Sequence, residues 1–323
     1  MAAYTGIQGQ NILIVSSDPA NPTEGQIWYN STTNLLKGYA NVVTNAWASG
    51  GNLGTARRLL AGAGTQTAGL GFGGLDTGAL ANTEEYNGTS WTSGGSLATA
   101  RFFLAGAGTQ TAGLAAGGNP GPAVTNITEE YDGTSWTSGG NLATARDALR
   151  GTGTQTAGLV FGGNIPPQSA ATEEYNGTSW TSGGNLTTAR SQLAGAGTQT
   201  AGLAFGGSPN GTSTTAAPEE YDGTSWSPGG SLNTARRNIG GTGDQTAAIG
   251  FGGETPTTGA TELYNGTSWT SNPTGLATAR QQMGSAGTQT LALAFGGEPP
   301  PTGLTATEEW TGTALATRTI TTS

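Results

Sequence analysis

A unit of about 44 residues recurs six times along this chain, and nothing else in the sequence restricts the fold as tightly. One copy, Thr172 to Gly207, reads TEEYNGTSWTSGGNLTTARSQLAGAGTQTAGLAFGG. Its tryptophan recurs as Trp47, Trp91, Trp136, Trp180, Trp226 and Trp269. Its double glycine recurs as Gly73-Gly74, Gly117-Gly118, Gly162-Gly163, Gly206-Gly207, Gly252-Gly253 and Gly296-Gly297. A fixed period of this length marks a propeller or a solenoid. The units fill most of the 323 residues and leave no room for a second large domain.

Composition matters here for what it excludes. The 58 glycines and 14 prolines would approach a low-complexity class without the period. With it, and with one Trp, one Tyr and usually one Phe per unit, they read as small, turn-rich β-units. Only 10% of residues are charged, so Thr, Ser, Asn and Gly must cover the surface. The net charge is −9, with Lys37 the single lysine, so no basic stripe exists and nucleic acid is not an expected partner. With no cysteine and no histidine, disulfides, thiolate or imidazole metal sites and the commonest general base are excluded. No acidic loop has Ca²⁺-binding spacing, and no metal or cofactor is expected. No apolar run approaches a membrane span, so no membrane insertion is expected. The run Ile12 to Val15 is too short for a signal peptide.

Within one unit, Ser191 to Ala196 and Thr200 to Phe205 read as short strands around a Gly197-Thr198-Gln199 turn. After Gly206-Gly207 and a variable loop, Glu219-Glu220-Tyr221 starts a third strand. Asp222-Gly223 is a hairpin signal, and Ser225-Trp226 starts a fourth. Four short strands per unit make a propeller blade. The small residues of the first two strands suit the crowded centre. Trp and Tyr suit the periphery, where blades splay apart.

Arg190, Leu203 to Gly207, Tyr221 and Trp226 stand in the order and spacing of a Kelch repeat, which the chain resembles over roughly residues 40–312. Ala116, where other units carry Phe, and the very short first hairpin depart from that pattern. The resemblance implies an all-β, six-bladed Kelch-like β-propeller with four-stranded blades. Closure would place the strand around Trp47 beside Glu308 to Gly312, giving a ring without exposed sheet edges. The alternative is a seventh blade built from residues 34–48 and 313–323. The domains are then a short N-terminal extension, 1–39, and a propeller, 40–323.

Every unit repeats one arginine (Arg57, Arg101, Arg146, Arg190, Arg236, Arg280) and one glutamate (Glu84, Glu129, Glu173, Glu219, Glu262, Glu308). The matched count predicts one structural ion pair per blade, since the guanidinium fork suits a carboxylate. A ring of arginines binding an anion at the centre is the functional alternative. The runs Asn87-Gly88-Thr89, Asn176-Gly177-Thr178 and Asn265-Gly266-Thr267 match a glycosylation sequon. They alternate with Asp132-Gly133 and Asp222-Gly223, so turn chemistry accounts for both. YDGTSW also looks like the Asp-box hairpin of sialidases, with spacing off by one residue. A galactose-oxidase-type copper site cannot be built without His and Cys.

The loops after Gly-Gly vary from seven to ten residues while the strands stay nearly fixed. A rigid scaffold with variable loops is a common recognition design, and it nominates Asp76, Asn119, Asn164, Asn210, Glu254 and Glu298 as candidate binding residues. The stretch from Pro22 to Lys37, with Trp28-Tyr29-Asn30 and a predicted hairpin, resembles a module found near bacteriophage fibre and tail proteins. That resemblance implies a non-enzymatic virion structural protein, a tail fibre or decoration protein located on the particle. It would be a homo-oligomer attached to other virion proteins through the N-terminal segment and meeting a host-surface glycan or protein through the loops. A bacterial adhesive or carbohydrate-binding module is the alternative. A glycan-acting enzyme would need a carboxylate cluster that no unit supplies.

Overall fold

The computed structural model describes residues 12–23, 25–42, 45–254, 256–300, 302–312 and 314–320. The first eleven residues of the N-terminal segment therefore lie outside the described residues. Among the described residues all regular structure is β, in seven four-stranded sheets that divide between two compact units. The larger unit, Ala46–Trp310, contains six of the sheets, arranged like the blades of a β-propeller.

Sheets 1 to 5, spanning Ala61–Ser93, Ala105–Ser138, Arg150–Ser182, Ala194–Pro228 and Gly240–Asn272, each take four consecutive strands. Sheet 4 is typical: Ala194–Gly197, Gly202–Phe205, Glu219–Tyr221 and Trp226–Pro228, all antiparallel. Sheet 6 takes three strands, Gly284–Gly287, Leu291–Phe295 and Thr307–Thr311, and completes itself with the early strand Ala46–Ser49. The first strands of the six sheets pack against one another in a cycle, sheet 6 against sheet 1 included. Just before each first strand, one residue takes the left-handed conformation: Leu59, Phe103, Ala148, Gln192, Asn238 and Gln282, with φ between 50° and 59°. Their amides donate in turn to the carbonyl of the preceding member, and Leu59 donates to Gln282 at 2.8 Å. Six hydrogen bonds of 2.8–3.0 Å thus run head to tail around the axis without a break.

The seventh sheet belongs to the other unit, Met1–Asn45 with Thr311–Ser323. Its order is Leu13–Val15, Ile27–Asn30, Leu35–Val42 and Ala314–Thr319, with the first pair parallel. The predicted hairpin around Asn30 to Asn34 is the middle of this sheet. Asp18 organises its polar side. The carboxylate accepts from Lys37 at 2.6 Å, Asn30 at 2.8 Å and the indole of the fully buried Trp28 at 3.0 Å. Lys37 above all holds the Asp18 carboxyl down at about 2.

Two expectations need correction. There are seven sheets rather than six, because residues 35–42 and 314–319 pair with each other outside the six-sheet unit. No sheet closes on itself, so outer strands such as Trp91–Ser93 keep an open edge. These edges are three or four residues long and carry exposed Thr, Ser or Pro, which limits edge-to-edge pairing.

Between neighbouring sheets the same contacts recur. The phenylalanine that ends one second strand packs on the next sheet's tryptophan, as in Phe161–Trp226 at 4.9 Å and Phe205–Trp269 at 4.7 Å. The tryptophan indole donates back to a threonine of the preceding sheet, as Trp226 does to Thr172 at 2.9 Å. A turn glutamine reaches two carbonyls of the preceding sheet: Gln199 donates to Gly158 at 3.0 Å and Tyr175 at 2.7 Å. In the double glycine the backbone is left-handed. A Cβ on Gly206 would sit 2.7 Å from the Arg236 carbonyl, so no other residue fits there.

Departures from the repeat occur in compensating pairs. Sheet 2 ends its second strand in Ala116 rather than Phe, and Val160 of sheet 3 stands where the other sheets carry Gly or Ala. Ala116 and Val160 share one core cluster against Trp180. Pro218 is not compensated in this way. It replaces the acceptor threonine, and the buried Trp269 indole N–H is left without a partner. Trp269→Phe should therefore cost about 1 kcal/mol less stability than Trp226→Phe, which also gives up a made hydrogen bond. Equal losses in urea unfolding of the two variants would contradict the assignment.

Candidate functional site

The repeated charges are consumed inside the sheets that carry them. Arg190 is only 1% exposed, and its Nη2 donates to Glu219 Oε1 at 2.8 Å. The equivalent distances are 2.9 Å for Arg57–Glu84, Arg146–Glu173 and Arg280–Glu308, and 2.7 Å for Arg236–Glu262; Arg101 pairs with Glu129 in the same way. The second carboxylate oxygen caps a backbone amide of the segment entering the sheet, as Glu219 does for Thr187 at 2.6 Å. The remaining guanidinium donors serve backbone carbonyls; Arg236 Nη1 reaches Gly252 at 2.7 Å and Ala260 at 2.9 Å. Burial lowers the pKa of all six arginines, that of Arg57 to about 10, so they stay cationic near neutrality. These six side chains are therefore engaged within their own sheets and do not form an anion-binding ring.

The second glutamate of each EEY run serves a different interface. Tyr86, Tyr131, Tyr175, Tyr221 and Tyr264 donate to Glu309, Glu85, Glu130, Glu174 and Glu220 of the preceding sheet. At the sixth interface Trp310 replaces Tyr and has no hydroxyl, and its counterpart is Leu263, which packs against the cluster containing Trp310. A glutamate there would be a carboxylate without its donor.

Burial first, and then the glutamate hydrogen bond, raises those five tyrosines to about 12. The stability contributed by the neutral phenols is complete below pH 10 and is lost as pH rises toward 12. An absorbance titration should find five of the eight tyrosines silent at pH 10 and ionising only as the protein unfolds near pH 12. Ionisation of all eight near pH 10 in folded protein would contradict these contacts.

The hairpin Asn and Asp residues are used locally. The Asn176 side chain accepts from the amides of Thr178 and Ser179 at 2.9 Å, and that of Asp222 from Thr224 and Ser225 at 2.8 Å.

The six nominated loop residues separate into two groups. Asp76 and Asn210 are exposed, and Asn210 shapes its own loop by accepting from the amides of Thr212 and Ser213. Asn119, Asn164, Glu254 and Glu298 are the first residues of their loops. Each is tied by a β-bridge to the residue after the repeated arginine, as in Asp147–Asn164 and Gln281–Glu298. Glu298 is 7% exposed and pairs with Arg58 at 3.2 Å, and Glu254 pairs with Arg237 at 2.5 Å. The freely presented surface of these loops begins further out, at positions such as Thr77, Pro122, Pro167 and Thr212.

What breaks the symmetry lies on the axis. The ring of left-handed residues surrounds a mouth lined by Leu59, Phe103, Ala148, Gln192, Asn238 and Gln282. Below it the first strands line a second cavity with glycine backbone, Thr152, Thr242 and Ser285. Arg150 stands between the two and lines both. Sequence reasoning missed this residue, although the substitution of Arg for Ala in the run AGAG was visible.

No family model matches the sequence, and no curated protein is similar to it. Among solved structures the fold is similar to that of YjhT, with a TM-score of 0.69 and 12% identity over 82% of this chain and 99% of that one. At that identity the similarity concerns the fold, a β-propeller-like arrangement of four-stranded sheets.

Proposed function

We propose that the six sheets of the larger unit are the blades of a six-bladed, Kelch-type propeller closed by the Ala46–Ser49 strand. In this reading the propeller is a non-enzymatic, adhesive scaffold of a bacteriophage particle, a tail fibre or decoration protein. The observation that carries the scaffold reading is that each repeated arginine, glutamate, tyrosine and glutamine is consumed by a contact within or between sheets. The loop tips differ from sheet to sheet and are exposed to meet a partner. The absence of His and Cys removes the commonest general base and the thiolate nucleophile, which agrees with binding rather than catalysis. The phage assignment rests on the sequence resemblance of the Pro22–Lys37 stretch. The N-terminal sheet suits attachment to another virion protein: its edge strand Leu13–Val15 exposes Leu13 at 50% and Ile14 at 72%.

The test is binding of the fluorescently labelled full chain to intact bacterial cells, beside a variant in which the six loops are replaced by one short loop. Binding that disappears with the loops supports host recognition through them. Equal binding by both versions, or binding by neither, overturns the recognition role; the second result leaves the N-terminal sheet to be tested against purified virion proteins.

A further inference from the structure

Arg150 opens the first strand of sheet 3, in register with Phe161. The same register position is Ala61, Ala105, Ala194, Gly240 and Gly284 in the other five sheets. An uncharged small residue therefore satisfies the fold at this place. The Arg150 side chain crosses toward sheets 5 and 6, where Nη2 donates to the Gly241 carbonyl at 2.6 Å and to Ser285 Oγ at 2.8 Å. Its Nε has no partner, as in the six paired arginines. Unlike them, Arg150 has no carboxylate within ion-pair distance among the described residues, and none lines either cavity. Desolvation brings its pKa down to about 10, with no carboxylate to oppose the shift.

Three hydroxyl-bearing residues accompany it. Thr152 and Thr242 replace the alanine found at that register in the other sheets, and Ser285 replaces a glycine. These departures lie on sheets 3, 5 and 6, the three sheets that Arg150 connects. Arg150 is half-buried, and the natural complement of a guanidinium without a carboxylate partner is an anion that accepts from its fork. The cavities on its two sides measure about 70 Å³ and 130 Å³, room for a group of a few heavy atoms.

We propose that the channel binds one small oxyanion, of the carboxylate or tetrahedral oxyanion class, on the guanidinium of Arg150. The probes are sodium selenate, which also scatters anomalously, and sodium formate, which separates the carboxylate source. Calorimetric titration of the full chain, dialysed free of phosphate and sulfate, should show one site with a Kd of about 1 mM or tighter for one of them. Arg150→Ala recreates the residue of sheets 1, 2 and 4, so it should fold, and it should weaken that binding roughly tenfold or more. Arg150→Gln keeps a polar, hydrogen-bonding side chain, shorter and without the charge, and should lose binding equally. Crystals soaked in selenate should place the anomalous peak beside the guanidinium if the tetrahedral class is bound. The proposal is overturned if neither anion binds saturably, or if Arg150→Ala binds as well as the parent. It is also overturned if Arg150→Ala lowers only the melting temperature, which would make Arg150 a strut between sheets.

Discussion

Replacing Arg190 by alanine is expected to lower the unfolding free energy of the six-sheet unit by about 3–5 kcal/mol, the cost of leaving one partner of a buried ion pair uncompensated. The residue left behind is Glu219, only 3% exposed, which would keep its contact to the Thr187 amide but lose its guanidinium. Two carbonyls, of Gly206 and Ala217, would lose a donor as well. Arg190→Lys should recover little, because a single ammonium cannot serve the carboxylate and the carbonyls together. Thermal unfolding should show the alanine variant melting about 10 °C lower than the parent. A loss below about 1 kcal/mol is what an exposed pair gives, and would contradict the burial of these six pairs.

The second large effect is expected at Trp47. Sheet 6 is the one sheet of the six-sheet unit that draws strands from both its start and its end, and Trp47 anchors Ala46–Ser49 in it. Its ring lies 4.8 Å from Phe251 and 5.6 Å from Trp310, and its indole donates to Thr261 at 2.9 Å. Trp47→Ala should cost about 3 kcal/mol or more. The loss should also open sheet 6 selectively, exposing Trp310, which is fully buried in the parent. Limited proteolysis should then cut first near residues 46–50 or in the adjoining strand Thr307–Thr311. Cleavage that begins instead in sheets 2 to 4 would show that the early strand does not hold the ring shut.

Much of this architecture was legible because the repeat states it six times. The strand positions, the Gly-Gly turns and the matched Arg and Glu follow from spacing alone. The contacts between sheets were not legible, because they join residues of neighbouring units that share no local pattern. The Leu263 position looked like mere tolerance for an apolar residue. The fold explains it, since its partner in the next sheet is Trp310 and not a tyrosine. The turn residue Gln199 gave no sign that its amide would bridge two carbonyls of the sheet before it. Four of the six loop residues nominated for binding stand closer to the scaffold than the sequence suggested, for a related reason. The first residue after Gly-Gly looks like loop by composition, yet a β-bridge fixes it in place. The seventh sheet was legible only as an alternative, a blade from residues 34–48 and 313–323; Leu35–Val42 and Ala314–Thr319 do pair, but the other two strands come from the beginning of the chain and Ala46–Ser49 joins sheet 6 instead.

The candidate site shows the limit most clearly. Averaging over repeats reveals the scaffold and hides whatever is not repeated. Arg150 and Ser285 occur once at their positions and Thr152 and Thr242 share another, where the remaining counterparts are Ala or Gly, so a consensus removes them. Their meaning comes only from the axis that brings sheets 3, 5 and 6 together around one guanidinium.

The most direct measurement of the closed arrangement is hydrogen exchange at the six axial amides of Leu59, Phe103, Ala148, Gln192, Asn238 and Gln282. Each donates to its neighbour around the cycle, so none can open without breaking the ring. All six should exchange together, at the slow rate set by global unfolding. Fast exchange at Leu59 and Gln282 with protection at the other four would mean a ring open between sheets 6 and 1, and would contradict the account.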